Sequence, residues 1–194
     1  MKITGLGTTL VELPIDPPLE TSIHDIRSVG CVLTSLATDE GLVGEGYAFT
    51  LSSIRLDVID AMVRSLEHHV VGRDPHDIEA IWADIWRDLN FLGHKGITII
   101  GVSAVDVACW DIVGKALDQP VYNLLGGKVS DKLRSYTYLY PESGPGSTAD
   151  NAAVNATRSV HNDPEIAPKR AEHYIDLGFT AIGFDPVMPM GSFD

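Results

Sequence analysis

The run Gly101-Val-Ser-Ala-Val-Asp-Val-Ala-Cys-Trp-Asp-Ile-Val-Gly-Lys115, followed by Pro120-Val-Tyr-Asn-Leu-Leu-Gly-Gly127, carries the strongest organising signal in the chain. Val102, Val105, Cys109 and Ile112 recur at spacings of three and four, which places them on one helical face. Gly101, Ser103, Ala104, Ala108 and Gly114 are small, so another element must approach this helix closely. Asp111 and Lys115 stand four apart and are expected to pair. Pro120 suits the start of a further turn and Gly126-Gly127 its end.

Working outward, residues 1 to about 127 read as an α+β unit. Lys2 to Leu13 predicts a strand ended by the proline-rich Pro14 to Pro18. Val29 to Thr38 and Leu42 to Ala48 predict a hairpin turning at Gly41, the residue best able to take positive φ. Ser52 or Ser53 is placed to cap a helix carrying Ile54, Val58, Met62 and Leu66. Asp74-Pro75 reads as a cap and first position of a second helix, with Ile78, Ile81, Trp82, Ile85 and Leu89 as its apolar stripe. The third helix runs from about Ile99 to Leu117. Strands followed by helices make an α+β order.

Beyond Gly127 the pattern changes. Leu133, Ser135, Thr137 and Leu139 alternate with Arg134, Tyr136, Tyr138 and Tyr140, a strand signature. A polar excursion covers Pro141 to Asn162. Asp163-Pro164 then opens a helix toward Leu177, and Pro168 argues for a late start because proline past the first turn loses a hydrogen bond. Phe179 to Asp185 reads as an apolar strand. Strand, helix, strand is a βαβ unit with parallel pairing.

Composition limits the function. The 194 residues are 44% hydrophobic, ample for a core, and their formal charge of −13 opposes binding to nucleic acid or an anionic membrane. Cys31 and Cys109 read as small apolar residues rather than a disulfide framework. Glu12 and Pro14 interrupt any signal-peptide core, and no run is read as long enough to span a membrane. A cytoplasmic protein is expected. Gly41-Leu-Val-Gly-Glu-Gly46 lacks dinucleotide-loop spacing; neither a Gly-x-Ser-x-Gly elbow nor clustered His and Cys ligands occur. The 27 acidic residues show no metal-ligand spacing.

The wording Ser-Ala-Val-Asp-x-Ala-x-Trp-Asp-x-x-Gly-Lys, then Gln-Pro-Val-Tyr-x-Leu-Leu-Gly-Gly, resembles the last helix of the N-terminal capping domain in the enolase superfamily, in its mandelate racemase and muconate lactonizing enzyme branch. Thr38-Asp-Glu-Gly-Leu-Val-Gly-Glu-Gly-Tyr47 resembles that family's hairpin. Asp176-Leu-Gly-Phe-Thr-Ala-Ile-Gly-Phe-Asp-Pro186 resembles its second barrel strand. The resemblance implies a capping domain over residues 1–127 and the beginning of a (β/α)₈ TIM barrel over 128–194. A closed barrel takes eight strands and about 250 residues, whereas roughly 65 follow Gly127. The expectation is therefore a segment of a longer protein.

The resemblance also implies chemistry. Family members remove a proton α to a carboxylate, and Mg²⁺ held by acidic residues of the third to fifth barrel strands stabilises the enediolate. Those ligands are expected after Asp194, with no metal ligand in this chain. Relatives carry Lys-x-Lys or a variant at the end of the second strand; this chain has Gly183-Phe184-Asp185, so Gly183 leaves a gap where a lysine stands and Asp185 becomes the candidate base or acceptor. The capping loops that select substrate map to Glu20–Arg27 and Tyr47–Ser52, which makes His24, Tyr47 and Phe49 candidate substrate contacts. Tyr140, with Tyr138 on the first barrel strand, is nearer the active-site end, and core burial is expected for the pair. His68, His69, His76, His161 and His173 are read as structural or exposed; His94 is left open. The implied activity is an acid-sugar dehydratase acting on a small carboxylate as a homo-oligomer. The alternatives are a racemase or cycloisomerase of the same scaffold, and an inactive homologue because Gly183 removes a reactive side chain.

Overall fold

The computed structural model describes residues 1–20, 25–139, 160 and 163–184. They fall into two compact units, Met1–Leu13 with Val29–Val129, and Pro14–Ser28 with Ser130–Asp194. Strands β1 (Ile3–Glu20), β2 (Asp25–Thr38) and β3 (Val43–Thr50) form one sheet in that order. β2 and β3 pair antiparallel, from Ala37↔Val43 to Gly30↔Thr50. Contacts of β1 with β2 at Thr4/Ala37 and Gly7/Ser35 run in opposite senses along the two strands, so that pair is antiparallel too. Gly41 turns the hairpin at φ 82°, a conformation glycine adopts without Cβ strain.

All three strands run longer than expected, and β2 begins at Asp25 rather than Val29, which takes residues 25–27 out of the expected loop. β1 continues through Pro14, Pro17 and Pro18 to Glu20, because it lies at the sheet edge, where a missing N–H breaks no interior ladder. β3 continues through Phe49 to Thr50, so Tyr47 and Phe49 belong to a strand rather than to a loop.

Helices cover one face of this sheet. A single 3₁₀ turn (Ser53–Arg55), capped by the Ser52 hydroxyl, leads into α1 (Leu56–Ser65) and the short α2 (Glu67–Val70). Then come α3 (Ile78–Asp88), α4 (Ile97–Leu117) and α5 (Val121–Leu124). α3 begins later than Asp74-Pro75 because the Asp74 carboxylate accepts the His76 N–H at 3.0 Å and closes a separate turn. Ile78, Ile81, Ile85 and Leu89 are buried as the stripe requires, while Trp82 is exposed.

α4 is the centre of the unit. Ten of its 21 residues are buried, among them Val102, Val105, Cys109 and Ile112, and it packs against β3, α1 and α3. It is also long and apolar enough to cross a membrane by length and composition, which corrects the expectation that no run reaches that length. Its burial explains its composition: a helix covered on several sides is apolar all round.

Close approach to β3 rests on two glycines. A Cβ on Gly44 would stand 2.1 Å from the Ala108 carbonyl oxygen, and one on Gly46 would stand 2.0 Å from that of Ala104. The predicted Asp111–Lys115 pair forms, with Nζ 2.7 Å from Oδ2. It also reaches the hairpin: Glu45 N–H donates to Asp111 at 2.8 Å and Lys115 donates to the Val43 carbonyl at 2.8 Å.

In the second unit, β4 (Thr137–Tyr138) and β5 (Ile182–Gly183) pair parallel, joined through α6 (Ile166–Asp176). Both strands are shorter than their sequence patterns. α6 starts late, as expected: Asp163 accepts the Glu165 N–H, and Pro168 sits in the first turn, where N–H groups have no helical partner. The excursion from Pro141 to Asn162 lies outside the described residues except for the buried Val160.

Candidate functional site

Alternation along β3 decides where the hairpin candidates point. Gly44, Gly46 and Ala48 face α4, so Val43, Glu45, Tyr47 and Phe49 project from the opposite face. Tyr47 pairs with Leu33 and Phe49 with Cys31. Tyr47 is 58% exposed and Phe49 55%. Tyr47 lines an open groove of about 380 Å³ with Thr9, Leu33, Ser35 and Glu45, and Phe49 lies outside its lining. The groove sets the Tyr47 ring and Leu33 beside the polar side chains of Thr9, Ser35 and Glu45, so it offers stacking and van der Waals contact together with hydrogen bonding.

Gly183 pairs with Tyr138 across β4 and β5. Instead of a gap, a Cβ at Gly183 would meet Cδ1 and Cε1 of the Tyr138 ring, both at 3.1 Å. The ring itself is half exposed, which corrects the expected burial of Tyr138. Its side chain is laid across the glycine instead of being directed into a core. His24, Tyr140 and Asp185 lie outside the described residues.

The histidines divide by neighbour. His94 stacks on Trp86 at 3.7 Å between ring centroids, and its Nε2 donates to the Trp86 carbonyl at 2.7 Å. Trp86 in turn stacks on Trp82 at 4.8 Å, so the role left open for His94 is to finish an aromatic stack on α3. His76 bonds Asp74. His69 contacts Asp88 at 3.1 Å, and His68 joins them: one potential ligand atom from each of the three lies within 4.8 Å of the others. Nothing in the sequence pattern marked this group, since its two parts are separated by a turn and most of a helix.

Perturbed titrations accompany the core. Burial pushes the Cys109 thiol up to about 12, with the Asp106 charge adding to it, so this cysteine is an inert packing residue. Burial, then the Glu79 charge, raises Asp106. On the sheet side, burial alone would raise Asp60, but hydrogen bonds from Thr8 and Arg64 and the Arg64 charge hold it below its ordinary value. Asp60 thereby ties α1 to β1.

Mg²⁺ takes oxygen ligands in near-octahedral array. Among the described residues the group of three convergent ligands contains two imidazoles, so it does not fit that ion.

Comparison with known proteins agrees with this architecture. The model of the mandelate racemase / muconate lactonizing enzyme N-terminal domain matches residues 4–126. A D-galactarolactone cycloisomerase from Agrobacterium fabrum is 31% identical over 183 residues, covering 92% of this chain and 45% of its own length. A D-galactonate dehydratase from Pectobacterium atrosepticum is 38% identical over 104 residues, covering 54% of this chain and 26% of its own. The crystal structure of a mandelate racemase/muconate lactonizing enzyme from Jannaschia sp. CCS1 superposes with a TM-score of 0.75 at 29% identity, covering 97% of this chain and 44% of that one. The chain thus spans less than half the length of these relatives. With a sheet, helices and family match that coincide over residues 4–126, the chain belongs to the mandelate racemase / muconate lactonizing enzyme family of the enolase superfamily through its N-terminal domain.

Proposed function

We propose that the protein acts on a small carboxylate, a sugar acid, as a dehydratase of the enolase superfamily. The proton α to the carboxylate is removed, the β-hydroxyl departs as water, and the resulting enol becomes the 2-keto acid. The observation that carries this reading is the similarity of the N-terminal domain to D-galactonate dehydratase, at 38% identity over 104 residues. Cycloisomerisation is the second reading, supported by the match of 92% of the chain to a D-galactarolactone cycloisomerase; a racemase shares the same first step.

In this reading β4, α6 and β5 begin a (β/α)₈ barrel, which their parallel pairing supports. Gly183 and Asp185 are assigned to the catalytic end of the second strand by the family resemblance, and His24, Tyr47, Phe49 and Tyr140 are proposed as substrate contacts. The Mg²⁺ ligands are proposed to lie beyond Asp194, and Asp185 is the candidate base or acceptor within this chain. Gly183 supports a third reading, an inactive homologue, because glycine has no side chain to take the place of the usual lysine. A cytoplasmic location and a homo-oligomer belong to the same proposal.

The test is incubation of the longer protein that carries this chain with a panel of sugar acids in D₂O. A product lighter by one water, with deuterium at the former β-carbon, is expected. An isomeric product, with no loss of water, selects a cycloisomerase or racemase of the same scaffold, and no exchange with any acid selects the inactive homologue. Gly183→Lys then separates a disabled site, where activity rises, from a rebuilt one, where it falls.

A further inference from the structure

We propose that His68, His69 and Asp88 form a site for one Zn²⁺ ion that clamps α2 to α3. His68 and His69 are the middle residues of the short α2, and Asp88 is the last residue of α3. His69 Nε2 already stands 3.1 Å from Asp88 Oδ2. The two imidazoles lie 4.0 Å apart between centroids, tilted by 40°, although adjacent residues on a regular helix point apart. One ligand atom from each residue lies within 4.8 Å of the other two.

Tetrahedral Zn²⁺ at about 2.0–2.1 Å from nitrogen or oxygen keeps its ligand atoms about 3.3–3.5 Å apart. The His69–Asp88 pair needs almost no change to meet that spacing, and the His68 ligand atom has to close from within 4.8 Å. Two imidazoles and a carboxylate leave the fourth position to water. This donor set suits Zn²⁺ and not Mg²⁺, which demands more oxygens and a stricter octahedron. The neighbouring carboxylate is otherwise engaged, since Asp84 accepts from both Arg73 and Arg87. Asp88 is thus the α3 carboxylate turned toward the histidines. His68 and Asp88 are exposed, so an ion enters without opening the core.

The alternative account is a simple His69–Asp88 ion pair with His68 beside it, and metal titration separates the two. Zn²⁺ is titrated calorimetrically into the protein with Mg²⁺ in excess, which saturates any all-oxygen site. The same titration is run on His68→Ala and Asp88→Asn, both at exposed positions, with circular dichroism verifying their fold. One equivalent is expected to bind and to raise the melting temperature, with affinity falling roughly tenfold or more in each variant. Absence of binding, binding unchanged in both variants, or loss in only one of them overturns the three-ligand site. Should either variant misfold, His68→Gln and Asp88→Ala carry the same comparison.

Discussion

Gly46→Ala isolates the contact on which the sheet and α4 depend. By local preference alone this change stabilises, because alanine in a strand is favoured over glycine by roughly 0.5–1 kcal/mol. The tertiary contact reverses the sign. The new Cβ would lie 2.0 Å from the Ala104 carbonyl oxygen and 3.1 Å from both the Ala104 carbonyl carbon and the Ala108 nitrogen. Carbon–oxygen contacts settle at about 3.3–3.6 Å, so strand and helix must separate by more than about 1 Å. Those atoms are backbone in mid-helix, and no side-chain rotation relieves them. Overpacking costs about 1–3 kcal/mol and sometimes more; with backbone on both sides we expect about 3 kcal/mol, a fall of roughly 6–12 °C in melting temperature. Gly101→Ala is the contrast. Its Cβ meets Cγ of Met62 at 2.8 Å, the middle of a flexible side chain, and the helix gains about 1 kcal/mol in propensity, so the net change stays within about 1 kcal/mol. Urea denaturation followed by far-ultraviolet circular dichroism measures both. Because the clash is with main chain, Ala104→Gly should not rescue Gly46→Ala. A Gly46→Ala protein within 1 kcal/mol of wild type, or a rescue by Ala104→Gly, would falsify the close-packing argument.

Two further substitutions test buried polar groups in the same unit. Thr34 is 2% exposed and its hydroxyl has no hydrogen-bond partner among the described residues; Thr34→Val keeps the shape and removes the orphan, so it should stabilise by about 1 kcal/mol, read as a rise in urea midpoint at unchanged slope. Asp60, held below its ordinary value of 3.8, contributes stability that is present above that value and is lost as pH falls through its lower folded value. The stability gap between wild type and Asp60→Asn should therefore close in acid, and a gap independent of pH across this window would show that Thr8 and Arg64 do not depend on the carboxylate charge.

The helix at the centre was legible because its small and branched residues sit at positions that only a tightly covered helix needs. Val102, Val105, Cys109 and Ile112 are all in the core, and Asp111–Lys115 forms as spaced. Its resemblance to a membrane span was not legible, since periodicity reports one face and α4 is covered on several. The extension of β1 through Pro14, Pro17 and Pro18 was hidden for a related reason. Proline argues against a strand unless the strand lies at an edge, and edge position is a property of the finished sheet. Asp74 shows the limit of capping signals: its carboxylate does bind a nearby N–H, but in a turn that ends before α3 begins. Gly183 was read from its missing side chain alone, and the Tyr138 ring that occupies its surroundings is supplied by another strand. The His68, His69 and Asp88 group follows the same rule, for its members meet only after α2 and α3 have packed.

Helix α4 connects the fold to the candidate site. The α4 residues that carry part of the family resemblance do not touch the exposed face of β3; they act from behind it. Ala104 and Ala108 present main-chain oxygens to Gly46 and Gly44, which sets the depth at which the strand lies. Asp111 takes the Glu45 N–H, and Lys115 takes the Val43 carbonyl, which fixes the hairpin along the helix. The Asp111 hydrogen bond is also the main reason the Lys115 ammonium is held above its ordinary value. Both bonds fall at the turn end of β3, and Tyr47 and Phe49 follow two and four residues after Glu45 on the same face. Strand alternation then leaves those aromatic rings no choice of side. A hairpin seated by glycines against a helix and latched at one end presents its far end as a rigid aromatic edge. The substrate-selecting role proposed for Tyr47 and Phe49 would rest on that placement, which is set by α4 rather than by the rings themselves.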